Sequence, residues 1–431
     1  MKLNKQLNFF IKKKIFIKNY RNSICKKSLK IFNEKIISFS KEKEKNFISS
    51  IIKYDYSFPR KENIDWNILK KYLIDKNGIY LFFLNGFYLS NFLENKFKNK
   101  FIFSINEILL KKKSNSTIEN FFGKTISNND IFNSLNFLFS KDGAYIFLPD
   151  KICLKKTIYI INLYKIKNDF SIINTRNLII LGKKSQAKIV EFHESLTNKI
   201  FFSNYITEIY NKKESNIEYI KLYTNIAYSY LRNKTYITQK KKSICTLNNF
   251  SFEGKFLNEN INFFSCGKKS KSYFNGLAIL KKKSIHQYVK INSLIDHLFS
   301  NCESYQLTKS ILDGTSKGSF NGKIIIHKKA NNIIAFQKNN NILLNKNSYV
   351  YSNPELEIFA NNVKCSHGST LGTLEKNKIF YLCTRGIEKK IAKSILILLY
   401  AKKILKNINI PKIKLFLSKK ILNILNLKNV F

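Results

Sequence analysis

Acidic residues are scarce. The 431-residue chain carries 28 aspartates and glutamates against 76 lysines and arginines, a formal charge of +48. Those carboxylates form no cluster, which removes the acidic β-helix lyases and hydrolases that work through grouped aspartates. Arginine is scarcer still, found only at Arg21, Arg60, Arg176, Arg232 and Arg385. A surface selected for nucleic acid gathers its charge and favours arginine for bidentate phosphate contacts. Here the cations are lysines in short runs such as 111–113, 240–242 and 281–283, spread along the whole chain. Lys, Asn, Ile, Phe and Tyr, residues of AT-rich codons, dominate, so a compositional bias accounts for the charge and no nucleic-acid partner is expected. A basic β-solenoid that binds nucleic acid or polysaccharide is the alternative that charge alone suggests.

Other absences narrow the field further. The seven cysteines are scattered, odd in number and free of any C-x-x-C pair. This excludes a disulfide framework or a zinc ribbon and points to a reducing, cytoplasmic setting. Residues 1–20 are split by Lys12, Lys13 and Lys14, so a secretory signal is not expected. No stretch reaches the ~18 apolar residues of a membrane span. There is no G-x-S-x-G elbow, and Gly123-Lys124-Thr125 has Ile118 where a phosphate loop needs its first glycine. Neither a hydrolase nor a nucleotide site is expected, and an ATP-driven step would fall to another polypeptide. Asp313-Gly314-Thr315 reads as a tight turn.

What is present is a globular chain, 44% hydrophobic, long enough for one large core or two to three domains. Residues 1–140 read mainly as helix: one over 33–54, a short one near Trp66 with Asn63 or Asp65 as N-cap, and one or two over 115–140. Trp66 reads as core packing. At Lys141-Asp142-Gly143-Ala144 the period changes. Residues 141–374 become short apolar runs separated by polar turns, such as 178–181 and 189–192 about Gly182-Lys183-Lys184-Ser185. Strands recurring every dozen residues mean a sandwich, a barrel or a β-solenoid. Residues 375–431 return to helix, over 375–387, 388–408 and from Pro411 onward, and are more apolar than solvent-facing helices should be. Packing on their own domain and docking another subunit both explain that excess.

One pair of residues carries chemistry. Cys365 and His367 lie two apart in an extended stretch, and side chains at period two share a side of the strand. Thiolate beside imidazole suits iron–sulfur clusters, zinc or copper. Two donors cannot close a site, so the spacing implies a partner chain or a transient site. A buried cysteine beside a hydrogen-bonded histidine is the competing account. His193, His286, His297 and His327 have no cysteine nearby and read as satisfied core or turn histidines.

The residues around that pair resemble a known family. The stretch 354–387 is similar to the C-terminal hallmark of the SufD branch of the SufB/SufD family, subunits of the bacterial SufBCD iron–sulfur cluster assembly complex. The family run PxLEIxAxDVKCSHGAT is matched by Pro354, Leu356, Glu357, Ile358, Ala360, residues 363–368 and Thr370. The following FYLxSRGI is matched by Phe380, Tyr381, Leu382, Arg385, Gly386 and Ile387. Asn362, Ser369, Cys383 and Thr384 depart from the pattern without removing the cysteine or the histidine. Pro59-Arg60-Lys61-Glu62 before Trp66 resembles an N-terminal motif of the same family, and Asp142-Gly143-Ala144, 175–179 and 318–322 resemble its core segments.

The resemblance implies a right-handed parallel β-helix over 141–374, flanked by an N-terminal helical domain (1–140) and a C-terminal helical domain (375–431). It implies a non-catalytic scaffold that pairs with a SufB-like subunit and docks a SufC-like ATPase through 375–431, including Phe380, Tyr381, Leu382, Arg385, Gly386 and Ile387. His367, with Cys365 near it, would help hold a transient iron–sulfur cluster at the SufB-like interface, and no nucleotide would bind this chain. A SufB-like paralogue is the neighbouring alternative, disfavoured because Lys364-Cys365-Ser366-His367-Gly368 is intact.

Overall fold

Between residues 144 and 372 each strand pairs with the next but one in sequence, so the chain winds as a coil whose two sides are sheets. The computed structural model describes residue 59 and residues 61–90, 101–110, 115–124, 130–281 and 286–427. The helix expected over 33–54 lies outside them.

The chain begins with α1 (Trp66–Lys70), β1 (Ile79–Leu84), β2 (Phe87–Tyr88), β3 (Ile102–Ser104), α2 (Ile105–Leu110), α3 (Asn115–Phe121) and α4 (Ile131–Phe139). Its coil comprises β4 (Ala144–Leu148), β5 (Ile158–Tyr164), β6 (Ser171–Leu181), β7 (Gln186–Ser195), β8 (Phe201–Asn211), β9 (Asn216–Thr224), β10 (Tyr230–Gln239) and β11 (Ile244–Ser251). It continues through β12 (Phe256–Ser265), β13 (Lys271–Leu280), β14 (Tyr288–His297), β15 (Glu303–Leu312), β16 (Lys317–Ile326), β17 (Ile333–Leu343), β18 (Tyr349–Ile358) and β19 (Val363–Gly372). Three helices close the chain: α5 (Lys376–Thr384), α6 (Lys389–Leu405) and α7 (Pro411–Ile424).

Even-numbered strands β4 to β18 form one parallel sheet and odd-numbered strands β5 to β19 the other, giving a two-sheet β-solenoid. At the N-terminal end, β1 extends the odd sheet in parallel, and β2 and β3 finish the two sheets antiparallel. The sheet therefore reaches back before the change of period at Lys141, into a region expected to be helical. Ile79-Tyr80-Leu81-Phe82-Phe83-Leu84 is buried at every position. A continuous apolar run carries no alternation that would separate strand from helix.

The corners are made by residues in the left-handed region. Lys151, Lys184, Glu214, Lys242, Lys269, Asn301 and Asn332 have φ between 57° and 65°. Each donates its backbone N–H one rung onward, for example Glu214 N to Lys241 O at 2.9 Å and Asn332 N to Asn362 O at 2.7 Å. The corner is thus a hydrogen-bonded column of its own.

Inside the N-terminal half of the coil sits a fully buried ionic group. Lys221 Nζ lies 3.7 Å from Glu191 and 3.2 Å from Glu259, and His193 Nε2 lies 2.9 Å from Glu191. Burial alone would raise the Glu191 carboxyl, but the Lys221 charge and the His193 hydrogen bond bring it down to about 2. A second buried pair, Arg176 with Glu208 at 2.7 Å, ties the even sheet to α3 and α4. Glu208 accepts from Gly123 N, and Arg176 Nη1 donates to Asn136 Oδ1 at 3.2 Å.

Helices cover both outer faces. Ile105, Phe122, Phe132 and Leu135 pack with Tyr145, Leu178 and Phe202 of the even sheet. Ile397, Leu398, Ala401, Ile404, Ile413 and Leu417 of α6 and α7 pack with Ile220, Leu222, Phe250, Leu277 and Ile311 of the odd sheet. Much of the apolar surface of the last two helices is therefore used on their own solenoid, while Leu399 and Leu415 stay exposed.

Candidate functional site

The last rung, β18 with β19, is unlike the rungs beneath it. All eleven residues of β8 are buried, whereas neither β18 nor β19 has one buried residue. Tyr349, Tyr351, Ile358 and Leu371 are 42–60% exposed. Both strands are the last in their sheets, so each presents an open edge ten residues long. A long edge of this kind is a template for another strand. Pro354, without an N–H, sits within the β18 edge, a position where proline is tolerated.

Cys365 and His367 share a side of β19, as their spacing requires, but their surroundings differ. Cys365 is half-buried and packs against the solenoid interior. Burial pushes its thiol up, with a backbone hydrogen bond at Ala335 opposing. A thiol held protonated is a reluctant metal ligand. His367 is exposed and stands in register on Gln337 of β17. Beside it Ser369 Oγ donates to Ser352 Oγ at 2.8 Å, and Ser352 Oγ donates to Asn339 Oδ1 at 2.9 Å, stitching β19, β18 and the rung beneath. Asn362, where the resembled family has aspartate, donates to Asn332 Oδ1 at 2.6 Å, and Asn332 donates to Asn301 Oδ1 at 3.3 Å. The replacement thus extends an amide ladder along the corner.

Among the described residues no three His, Cys, Asp or Glu side chains gather as a metal-holding group. What β19 offers is one accessible imidazole and one shielded thiol. A soft metal or cluster bound there would need its other ligands from elsewhere.

The second predicted surface divides into two parts. Phe380 and Tyr381 are 71% and 57% exposed on α5, a helix with no buried residue, and the Arg385 guanidinium lies 5.4 Å from the Tyr381 ring centroid. Leu382 and Ile387 are half-buried. Gly386 and Ile387 stop the helix. Gly386 has φ +80°, its N–H donates to Cys383 O at 3.0 Å, and Ile387 N–H donates to Leu382 O at 3.2 Å. This is a Schellman stop, which requires the left-handed residue that glycine supplies without strain.

The remaining candidates take local roles. His193 is enclosed by Glu191 and Tyr164, His297 bonds Ser304 Oγ at 2.9 Å, His327 pairs with Asp296 at 2.8 Å, and His286 is exposed. Trp66 packs at the edge of the core under α6 and α7, and Asp65, not Asn63, caps α1. Asp313 carries a turn, accepting from Gly314 N and Ser316 Oγ. Sequence reasoning passed over Gln306 and Gln337, a buried amide ladder leading to His367. Their 31-residue separation, continued 30 residues on by His367, was the available signal.

Fold and site together define a class: a parallel β-solenoid whose last described rung is open and carries a thiol and an imidazole on one side of its final strand. Residues 164–398 match the family described as "SUF system FeS cluster assembly, SufBD core domain", and the chain belongs to that family. It is 26% identical over 354 residues to the iron–sulfur cluster assembly SufBD family protein slr0076 of Synechocystis, covering 80% of this chain and 77% of that one. It is 27% identical over 228 residues to the iron–sulfur cluster assembly protein SufD of Escherichia coli, spanning 52% of this chain and about half (53%) of that one. Over 288 residues it is 24% identical to the chloroplastic protein ABCI7 of Arabidopsis thaliana, covering 65% and 60% of the two chains.

Proposed function

We propose that this chain is a non-catalytic scaffold subunit for iron–sulfur cluster assembly. Its open solenoid end pairs with a SufB-like subunit, and α5 docks a SufC-like ATPase. The observation that carries the reading is the terminal rung, where exposed His367 stands on a long unpaired strand edge. A partner's strands would cover that edge and bring the missing ligands, so a transient cluster would be shared between two chains. His367 is the principal ligand. Cys365 is secondary, because its thiol must be uncovered and deprotonated before it can bind. A neutral imidazole holds iron less tightly than thiolate does, which suits a cluster that must be released.

The exposed Phe380 and Tyr381 support α5 as the ATPase contact, while Gly386 and Ile387 act by shaping its end. The six cysteines among the described residues are all unpaired, which supports a cytoplasmic setting. The test is His367→Ala in a complex co-expressed with SufB-like and SufC-like subunits, reading bound iron and sulfide beside the yield of assembled complex. Lost cluster with normal assembly supports the ligand role. Normal loading returns His367 to an ordinary strand histidine, and lost assembly makes it a packing residue. In the same complex, Phe380→Asp should release the ATPase subunit and leave the solenoid partner bound.

A further inference from the structure

Under His367 runs a buried line of side-chain amides. Gln306 Nε2 donates to Ser293 Oγ at 2.8 Å, and Gln337 Nε2 donates to Gln306 Oε1 at 3.0 Å. The line has a direction, because Gln306 spends its N–H across the interior on Ser293 of β14 and Gln337 spends its own on the rung below. Gln337 Oε1, at its upper end, accepts nothing, although the residue is only 1% exposed. A buried carbonyl without a donor costs about 1–3 kcal/mol. The next residue in the column is His367, the Cα partner of Gln337, and neighbouring strands lie about 4.8 Å apart. Gly322 across the interior completes the slot. A Cβ there would fall 2.3 Å from Gln337 Nε2 and 2.5 Å from Phe320 Cζ, so any side chain would push the amide out of place.

We propose that Gln337 is a positioning residue for His367, its Oε1 accepting the N–H of one ring nitrogen. A neutral imidazole has one N–H and one lone pair, so fixing the first fixes the second. The other nitrogen is left bare and turned toward whatever faces the open rung. The acceptor also stops the ring from rotating away. This inference rests on His367 being a ligand and supplies the reason its orientation is set before a partner arrives.

The test is the tautomer of His367, read by long-range nitrogen–proton NMR on the full chain labelled at histidine. It is taken at a pH where the ring is neutral, with assignment by His367→Ala. The unaltered chain should show one dominant tautomer. Gln337→Met, which keeps the volume and removes the acceptor, should give a mixture of the two. Gly322→Ala, which displaces the amide without deleting it, should shift His367 the same way. Circular dichroism and melting confirm that each variant retains the solenoid. The two glutamine and glycine variants are then carried into the co-expressed complex for iron and sulfide, beside His367→Ala. Mixed tautomers with reduced loading establish the positioning role. An unchanged tautomer in Gln337→Met overturns it, even where His367→Ala loses the cluster. Altered tautomers with full loading in all variants, His367→Ala included, mean that the hydrogen bond exists but the ligand reading has failed, and the positioning role falls with it.

Discussion

The two ends of the solenoid solve the same problem in opposite ways. At the N-terminal end the sheets finish in β2 and β3, antiparallel strands of two and three residues, and helices α2 to α4 cover the adjoining even sheet. At the C-terminal end they finish in strands of ten residues with no residue buried. Short, covered edges are how a fold prevents strand addition, and long bare ones invite it. The interiors differ too. The N-terminal half encloses the charges of Glu191, Lys221 and Glu259, while the rungs near the open end are lined by neutral amides and hydroxyls: Gln306, Thr308, Gln337 and Asn339. Buried charge is rigid because losing one partner strands the other. A neutral ladder can lose or gain one contact at its end at modest cost. The molecule therefore keeps its irreversible commitments at one end and its exchangeable ones at the other.

The largest effect that separates the ends should come from Glu208→Ala. It leaves Arg176 buried without its carboxylate and removes the acceptor of Gly123, costing about 3–5 kcal/mol in chemical denaturation. A loss under 1 kcal/mol would break the contrast.

Acid should distinguish the halves next. Burial holds His297 down to about 4 from an ordinary 6.5, and Glu191 stands at about 2. Between pH 6.5 and 4 the unfolded chain binds the His297 proton and the folded chain does not, so stability falls as pH falls, by about 3 kcal/mol in all. Glu191 stays ionised throughout that window. Hydrogen exchange should show β14 to β16 losing protection before β7 to β9, and His297→Gln should flatten the slope.

A smaller effect is expected at the α5 stop. Gly386→Ala forces a Cβ into the left-handed region and should cost about 1–2 kcal/mol, read as a lower melting temperature. The smallest belongs to the site. His367→Ala in the isolated chain should change stability by no more than about 1 kcal/mol, because the exposed side chain on a free edge supports only the one hydrogen bond proposed for Gln337. A loss of several kcal/mol would move His367 into the structural half of the comparison.

Much of this was legible in the sequence, unevenly. The rhythm of apolar runs after Lys141 limited the fold to a few all-β classes. Parallel pairing came from the family resemblance and not from the spacing, because partners such as Gln306 and Gln337 stand 31 residues apart, beyond any window that detects alternation. β1 was hidden by its unbroken apolar run. Alternation placed Cys365 and His367 on one side of a strand, yet it could not show that one is shielded and the other open. That difference comes from what packs beside each: Cys365 lies against the hydrophobic core of the solenoid, and His367 does not. Gly386 and Ile387 looked like contact residues within a motif, and in the structure they end a helix. The apolar residues of α6 and α7 left two accounts open: most pack on the odd sheet, while Leu399 and Leu415 stay exposed.

The corner column has a consequence for how this chain tolerates change. Lys151, Lys184, Glu214, Lys242 and Lys269 hold a left-handed backbone that an unbranched L-residue adopts at a penalty of about 1–2 kcal/mol. Lysine and glutamate there bring no compensating local hydrogen bond of the kind asparagine makes. Reserve stability is therefore left uncollected at one place on each of several rungs. Glu214 pairs with Lys184 at 3.6 Å and with Lys242 at 3.9 Å, so changes at those three corners should couple, whereas glycine or asparagine at Lys151 and Lys269 should act almost independently. The same coil can therefore absorb damage elsewhere through changes far from its working end.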